Sequence, residues 1–208
     1  MREDKKLTIS IFIIWLFNIS GILGIVFGHE NWFLRLTPLN LLIYLGLIFW
    51  NSSIHKKLIL ALLIPFSIGM VVEYLGVNYG VIFGNYGYGE NLGFKILGVP
   101  LMIGVNWAIL IYCTAAISEK IHKNIIFSSL IGAVLMVTLD MIIEISAPRF
   151  GFWEFMNGVV PLQNYMGWFI TAFIAHILFQ KVFKTLQYTL SIHTFIAMFV
   201  FFTIFLFV

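Results

Sequence analysis

Seven apolar runs constrain the fold of this chain more than any other feature of its sequence. A helix of about twenty apolar residues covers the hydrocarbon core of a bilayer, and hydrophobic residues make up 61% of the 208 residues. Charged residues make up only 10%, where soluble domains have roughly a quarter. We therefore predict an all-α, polytopic membrane helix bundle, with the chain forming a single integral-membrane domain over residues 1–208. The predicted spans are about 7–27, 34–50, 58–76, 99–118, 124–146, 162–180 and 188–208.

The first run begins after a charged start, as a signal peptide does, but it is too long for a typical signal-peptide core. No A-x-A-like cleavage site follows it. We expect it to be a retained first span.

The basic residues predict how the bundle is oriented. Nine of the twelve Lys and Arg residues fall in the N-terminal tail and in the second, fourth and sixth connections. The other side holds only Arg35, Lys95 and Arg149. By the positive-inside rule the N-terminus is cytoplasmic and the C-terminus extracytoplasmic. Since the basic residues sort by membrane side, the net charge of +3 needs no nucleic-acid partner to explain it. The expected partner of the bundle is membrane lipid.

Two long connections on the predicted extracytoplasmic side, 77–98 and 147–161, are rich in glycine and aromatic residues. The first contains NYGVIFGNYGYGENLG, residues 78–93, with five glycines and three tyrosines in sixteen residues. Irregular backbone at membrane depth is tolerated where protein buries it or where it lines a cavity. We expect both segments to fold back into the bundle as cavity walls.

Three carboxylic acids lie inside the predicted spans: Glu73 in the third, and Asp140 and Glu144 in the fifth. Asp140 and Glu144 are four residues apart and share one face of a helix. Acids at this depth are costly and are functional candidates by default. A close carboxyl pair can share one proton, and one member can then act as a general acid. In the alternative, Glu73 or Glu144 reaches the interface, or Glu144 pairs with Arg149.

Other polar and aromatic side chains fall at the same predicted depth as the acids. An interfacial aromatic belt accounts for part of this set but not for its buried amides. His176 and His193 also lie in spans, and we expect them to hydrogen-bond neighbouring helices. The candidate substrate-binding residues are Tyr86, Tyr88, Asn106, Trp107, Trp153, Asn164 and Trp168.

Several kinds of chemistry lack the residues they need. No histidines stand at an HxxxH spacing, so no metal site is predicted. GYGENLG is a near miss to GxGxxG but neither follows a strand nor opens a soluble helix, which argues against a flavin or nicotinamide. No Ser-His or Cys-His pair indicates a nucleophile. Proton chemistry by carboxylic acids, without a cofactor, remains.

Two stretches resemble the CruF-type carotenoid biosynthesis family, which includes carotenoid 1,2-hydratases and bisanhydrobacterioruberin hydratases. They are VEYLGVNYGVIFGNYGYGENLGFKILGVPLMIGVNW (Val72–Trp107) and LDMIIEISAPRFGFWEFMNGVVPLQNYMGW (Leu139–Trp168). The shared pattern is Glu, G-x-Y-x-Y, G-V-P and Trp, then Asp with Glu four residues on, and P-x-x-N-x-x-G-W. Ile145 stands where the family commonly has Pro, and Phe155 where it often has a second Trp.

The resemblance implies a hydro-lyase that adds water across the terminal C1–C2 double bond of an acyclic carotenoid end group, giving a tertiary alcohol. Its substrate would be an acyclic or monocyclic polyene, and other enzymes of the carotenoid pathway are candidate partners. On this hypothesis Asp140 protonates the alkene, Glu144 adjusts its acidity, and Glu73 and Asn164 orient the water. The aromatic rings would face the carbocation.

Two alternatives stay open. A carotenoid end-group cyclase also starts by protonating an alkene, but it would exclude water, against which the buried amides argue. A proton-coupled membrane transporter could use the same carboxyl groups as a relay, although the inverted repeats common in transporters are not apparent in the sequence.

Overall fold

The computed structural model describes residues 2–52 and 55–208, and within these ranges seven long helices form a bundle. They follow the seven predicted spans in order, and the predicted all-α membrane bundle is confirmed. The helices are α1 (Arg2–Gly24), a short α2 (Glu30–Arg35), α3 (Thr37–Trp50), α4 (His55–Tyr79), α5 (Leu101–Ile121), α6 (Ile125–Ser146), α7 (Leu162–Val182) and α8 (Tyr188–Ile204).

Helix α5 is the centre of the bundle. It packs against α3, α4, α6, α7 and α8. In its most apolar stretch of 18 residues 83% is buried, whereas the same fraction is 28–39% in the three other long apolar segments. A helix that is apolar all round is buried on all sides. Four segments, Asp4–Arg35, α4, α5 and α6, are long and apolar enough to cross a membrane, while α3 and α8 are apolar but shorter.

Helix α7 is less apolar than these segments because it carries polar residues on its buried face. His176 lies 2.9 Å from the Thr114 hydroxyl of α5, and Gln180 donates to Ser129 of α6 at 3.4 Å. On α8, His193 accepts a hydrogen bond of 3.1 Å from Trp15. Both histidines thus bond neighbouring helices, as predicted. Interhelical hydrogen bonds of this kind fix how membrane helices pack.

The connection from α1 to α3 is more helical than the sequence predicts. A π-helical turn, Ile25–His29, continues directly from α1, and the chain bends at Gly28, where φ is +90°. Glycine adopts this conformation at little cost. Gly24 leaves room for the ring of Phe33, so α2 folds back against α1 before α3 begins.

All four strands of the described ranges lie at one end of the bundle, which we name the strand end. They are β1 (Tyr86–Tyr88), β2 (Lys95–Ile96), β3 (Val99–Pro100) and β4 (Trp153–Phe155).

The two irregular segments pair with each other across the strand end. Strand β1 runs antiparallel to β4, with Tyr86 opposite Phe155 and Tyr88 opposite Trp153. A Cβ atom on Gly89 would lie 2.2 Å from the carbonyl oxygen of Gly151, so there is no room for a side chain at this position. Because side chains alternate across a strand, Tyr86 and Tyr88 point to the same face. The expectation that the two segments fold back over the bundle is confirmed.

Candidate active site

The ten side chains predicted to form the site line one cavity at the strand end, which we name the chamber. Helices α4, α5, α6 and α7 supply its walls, and the paired strands β1 and β4 cover it. Six further residues complete the lining. They are Phe83, Ile103, Leu110, Met136, Ile143 and Phe155.

The chamber is small and mixed in character. The space that the centre of a water-sized sphere can reach in the chamber is about 20 Å³. On this measure a single buried water needs at least ~10–15 Å³. Carboxyl and amide groups share its wall with rings and aliphatic side chains. There is room for about one water molecule beside the acids.

Glu73 of α4 accepts three hydrogen bonds and is 2% exposed. Its Oε2 accepts from the hydroxyls of Tyr86 and Tyr88, the second at 2.6 Å, and its Oε1 accepts from Trp107 Nε1 at 3.1 Å. An ionised carboxylate only accepts hydrogen bonds, so three converging donors suit a negative charge here. The alternative in which Glu73 reaches the membrane interface is wrong.

Asp140 and Glu144 of α6 are joined by one amide from α7. Asn164 Nδ2 donates to Asp140 Oδ2 at 3.2 Å and to Glu144 Oε1 at 3.0 Å. Trp153 Nε1 of β4 donates to Glu144 Oε2 at 2.8 Å. Glu144 therefore receives two donors and Asp140 one, and within the described ranges Asp140 Oδ1 has no hydrogen-bond partner. Despite this density of acids, the described residues contain no group of three or more His, Cys, Asp or Glu that could hold a metal ion.

Arg149 does not pair with Glu144, so that alternative is wrong as well. Its guanidinium forms two 3.2 Å hydrogen bonds with Glu30 of α2 and lies over the rings of Phe150 and Phe205. The arginine therefore joins α2 and α8 to the connection after α6. Glu144 keeps its uncharged donors.

Aromatic rings surround the acids on several sides. The indoles of Trp107 and Trp168 stack with centroids 4.4 Å apart and planes 19° from parallel. Tyr86 and Tyr88 meet edge to face at 5.6 Å, and Phe155, where the family often has Trp, lies 5.3 Å from Tyr86. Ring faces carry negative potential and attract a cation, by ~2 kcal/mol or more when it is desolvated.

The two tyrosines that cover the chamber remain hydrogen-bond donors. Burial first, and then the neighbouring Glu73 carboxyl, raise the pKa of the Tyr86 phenol. The pKa of Tyr88 is raised well above its ordinary value for the same two reasons, in the same order. Both hydroxyls are therefore protonated at neutral pH and continue to donate to Glu73.

Two glycines of α4 make the Glu73 contacts possible, and sequence reasoning missed them. A Cβ atom on Gly69 would lie 2.5 Å from the Trp107 ring, and one on Gly76 would lie 2.7 Å from the Tyr86 hydroxyl. Gly69 and Gly76 stand four residues before and three residues after Glu73, on one helix face. The available signal was the spacing G-x3-E-x2-G around the acid.

A second, larger cavity adjoins the chamber, and we name it the groove. Its volume is about 450 Å³ on the same measure, and most of its lining is apolar. It lies between α1, α2, α3, α5 and α8, and sequence reasoning did not predict it. Four residues line both cavities and form the junction between them. They are Ile103, Asn106, Ile143 and Trp153.

The comparisons with known proteins agree with the resemblance seen in the sequence. Residues 34–208 match the family of carotenoid biosynthesis proteins. Over 120 residues the chain is 30% identical to a bisanhydrobacterioruberin hydratase of Haloarcula japonica, covering 52% of this chain and 40% of that protein. The chain thus aligns with about two fifths of that relative. No solved structure matches the chain. Since the family match covers most of the sequence, the chain belongs to the carotenoid biosynthesis protein family.

Proposed function

We propose that the protein is a cofactor-independent carotenoid hydratase that adds water to the terminal C1–C2 double bond of an acyclic carotenoid end group. The product is a tertiary alcohol. The observation that carries the proposal is the chamber itself, where three carboxyl groups meet beside space for one water and next to a large apolar groove. The hydratase name of the Haloarcula japonica relative supports the same reaction.

Asp140 is the proton donor in this mechanism. A carboxylic acid that gives up a proton needs an oxygen not already occupied by donors. Glu73 has three donors, Glu144 two and Asp140 one, so Asp140 is best suited to carry the proton. Transfer of that proton to C2 forms a C–H bond and leaves a tertiary cation at C1. Asn164 holds the ionised Asp140 in place beside Glu144.

Water then attacks C1, and its proton passes to a carboxylate of the Asp140–Glu144 pair. The exchange balances, because one proton leaves the pair for C2 and one returns to it from the water. Glu73 stays ionised under its three donors and, with the rings of Trp107 and Trp168, stabilises the cation electrostatically. The amide oxygen of Asn164 is left to accept a hydrogen bond from the water.

The polyene occupies the groove in this proposal. Its terminal dimethyl alkene enters the chamber through the junction, between Asn106 and Trp153. The chamber holds about one water as it stands, so side chains at the junction turn aside to admit the end group. Trp153 is half-buried on the short strand β4 and stays in place, because it donates to Glu144. Asn106 makes no hydrogen bond within the described part of the chain and can follow the ligand.

A pigment assay tests the reaction. Cells that accumulate lycopene or γ-carotene and express the protein should form a more polar, hydroxylated carotenoid. Removing the general acid in Asp140→Asn should lower product formation by about 10²–10⁴-fold, the usual contribution of such a group. Glu154→Gln is the matched control, because Glu154 lies in β4 but is exposed. Unchanged pigment with the wild-type protein, or full activity in Asp140→Asn, would contradict the proposal.

A further inference from the structure

The hairpin formed by β2 and β3, residues 94–100, is a part of the strand end that the proposed mechanism does not use. It lines neither the chamber nor the groove. Its turn packs on α4, where a Cβ atom on Gly98 would lie 3.1 Å from Val77 Cγ1. The side chains of Phe94 and Leu97 are 73% and 68% exposed. The hairpin therefore presents large apolar side chains to its surroundings.

The turn of the hairpin has a sequence that is unfavourable in water. Its two central residues, Leu97 and Gly98, have φ values of +52° and +87°, and they join the paired residues Ile96 and Val99. A two-residue hairpin turn with positive φ at both positions is of type I′, for which Asn-Gly is strongly preferred. Leucine adopts positive φ at a cost, and exposure of its side chain to water adds a second cost. Surrounding hydrocarbon would remove the second cost and make an apolar tip favourable.

Polar groups at the tip and on β2 have partners within the protein. The Leu97 carbonyl at the tip accepts a 2.9 Å hydrogen bond from Asn78 Nδ2 of α4. Lys95 is the single charged residue of the hairpin, and its Nζ donates to Glu90 at 2.7 Å and to the Tyr88 carbonyl at 2.9 Å. Backbone groups that face lipid need such internal partners, because hydrocarbon offers none. The charge of Lys95 is thus held at the strand end while the apolar tip stays free.

The position of the hairpin along α4 matches a boundary of the hydrocarbon core. Between Lys57 and Asn78 the helix rises by about 32 Å at 1.5 Å per residue, and the core is about 30 Å thick. Tyr74 and Tyr79 meet edge to face at 5.8 Å on either side of Asn78 in the sequence, and tyrosine is enriched at membrane interfaces. Val71 is exposed two turns earlier on the same helix face as Asn78. The apolar surface of α4 therefore continues into the hairpin.

We propose that the β2–β3 hairpin inserts Phe94, Ile96 and Leu97 into the adjoining lipid leaflet and anchors the strand end to its acyl chains. The partner is hydrocarbon because the exposed tip is apolar, its carbonyl is bonded internally and it continues the lipid-facing surface of α4. Since Lys95 bonds the Tyr88 carbonyl, the anchored hairpin also supports β1 above the chamber. The proposal does not depend on the reaction that the chamber catalyses.

Fluorescent probes on introduced cysteines test the insertion. An environment-sensitive dye is attached to Leu97→Cys or to Phe94→Cys in the full-length protein, which is reconstituted into phosphatidylcholine vesicles without any other protein. Cys113 is buried, so the introduced cysteine is the one that reacts. Glu90→Cys is the matched control, because Glu90 lies in the same connection and its side chain is 89% exposed.

The dyes at residues 94 and 97 should emit at shorter wavelength than the dye at residue 90. They should also be quenched by lipids brominated on their acyl chains and be protected from aqueous iodide. Equal quenching by iodide at all three positions, with none by brominated lipid, overturns the proposal. Protection from iodide without quenching by brominated lipid overturns it as well, because a second copy of the chain would then cover the hairpin.

Discussion

At the scale of single residues, the number of hydrogen bonds separates three acids that look alike in the sequence. Carboxyl groups within apolar runs are rare enough to identify Glu73, Asp140 and Glu144 as candidates without a structure. Their division of labour needed coordinates, because the donors come from other elements of the fold, among them Tyr88, Trp107 and Trp153.

The tyrosines that cover the chamber predict how stability depends on pH. Burial and Glu73 raise the pKa of Tyr86 and Tyr88 above the ordinary 10.0. Above that pH the unfolded chain releases these phenolic protons while the folded chain keeps them. The stability they contribute is therefore complete below about pH 10 and is lost as the pH rises further.

Thermal unfolding in detergent measures this effect. The unfolding temperature of the wild-type protein should fall between about pH 9 and pH 11. It should fall less in the double variant Tyr86→Phe with Tyr88→Phe, which has no such protons to release. Tyr188→Phe, at a partly exposed tyrosine, should follow the wild type. Equal slopes in all three proteins would contradict the burial of the two phenols beside Glu73.

At the scale of elements, hydrophobic length predicted the helices well and their connections poorly. The seven long helices follow the apolar runs, but the π-helical turn at Ile25–His29 depends on Gly28 and on the contact of Phe33 with Gly24. The pairing of β1 with β4 joins residues almost seventy positions apart. Strands of three residues carry no periodic pattern long enough to detect. Glycine and aromatic content indicated only that these segments would be buried.

Gly76 of α4 leaves room for the Tyr86 hydroxyl, so adding one methyl group at this position should affect the site specifically. In Gly76→Ala the new Cβ atom would stand 2.7 Å from the Tyr86 hydroxyl, so Tyr86 must move away from Glu73. Loss of that hydrogen bond to a charged acceptor should lower hydration activity about tenfold or more. Product formation per folded protein is the measurement.

Gly46→Ala on α3 is the control for that change. Nothing lies within 4 Å of a Cβ atom at Gly46, and alanine is favoured over glycine inside a helix by ~0.5–1 kcal/mol. Activity should stay at the wild-type level and the unfolding temperature should stay the same or rise. Equal activity in Gly76→Ala and Gly46→Ala would contradict the claim that Gly76 is needed to let Tyr86 reach Glu73.

At the scale of the whole molecule, the charge distribution predicted a sidedness, whereas the groove came only from the structure. Each side chain of its apolar wall, such as Leu16 or Phe17, looks like a lipid-facing residue in the sequence. Only the packing of α1, α3 and α8 around α5 leaves the space open. The groove and the chamber together form a path from the apolar interior to the acids at the strand end.

The proposed orientation, with the strand end on the extracytoplasmic face, predicts which sites react from outside the cell. Cys113 is the single cysteine and is buried, so the wild-type protein provides an unreactive background. A cysteine in Glu90→Cys, at the strand end, should react with a membrane-impermeant maleimide applied to intact cells. One in Lys123→Cys, in the connection between α5 and α6, should react only after permeabilisation. The reverse pattern would contradict the orientation.

Isotope labelling of the product tests most directly whether the chamber protonates an alkene and then adds water. The wild-type protein is given an acyclic polyene in heavy water and, separately, in water containing oxygen-18. Mass spectrometry should find one carbon-bound deuterium in the first product and one oxygen-18 in the second, with Asp140→Asn forming neither. A product isomeric with the substrate, as cyclisation would give, or an alcohol without the water's oxygen, would contradict hydration at this site.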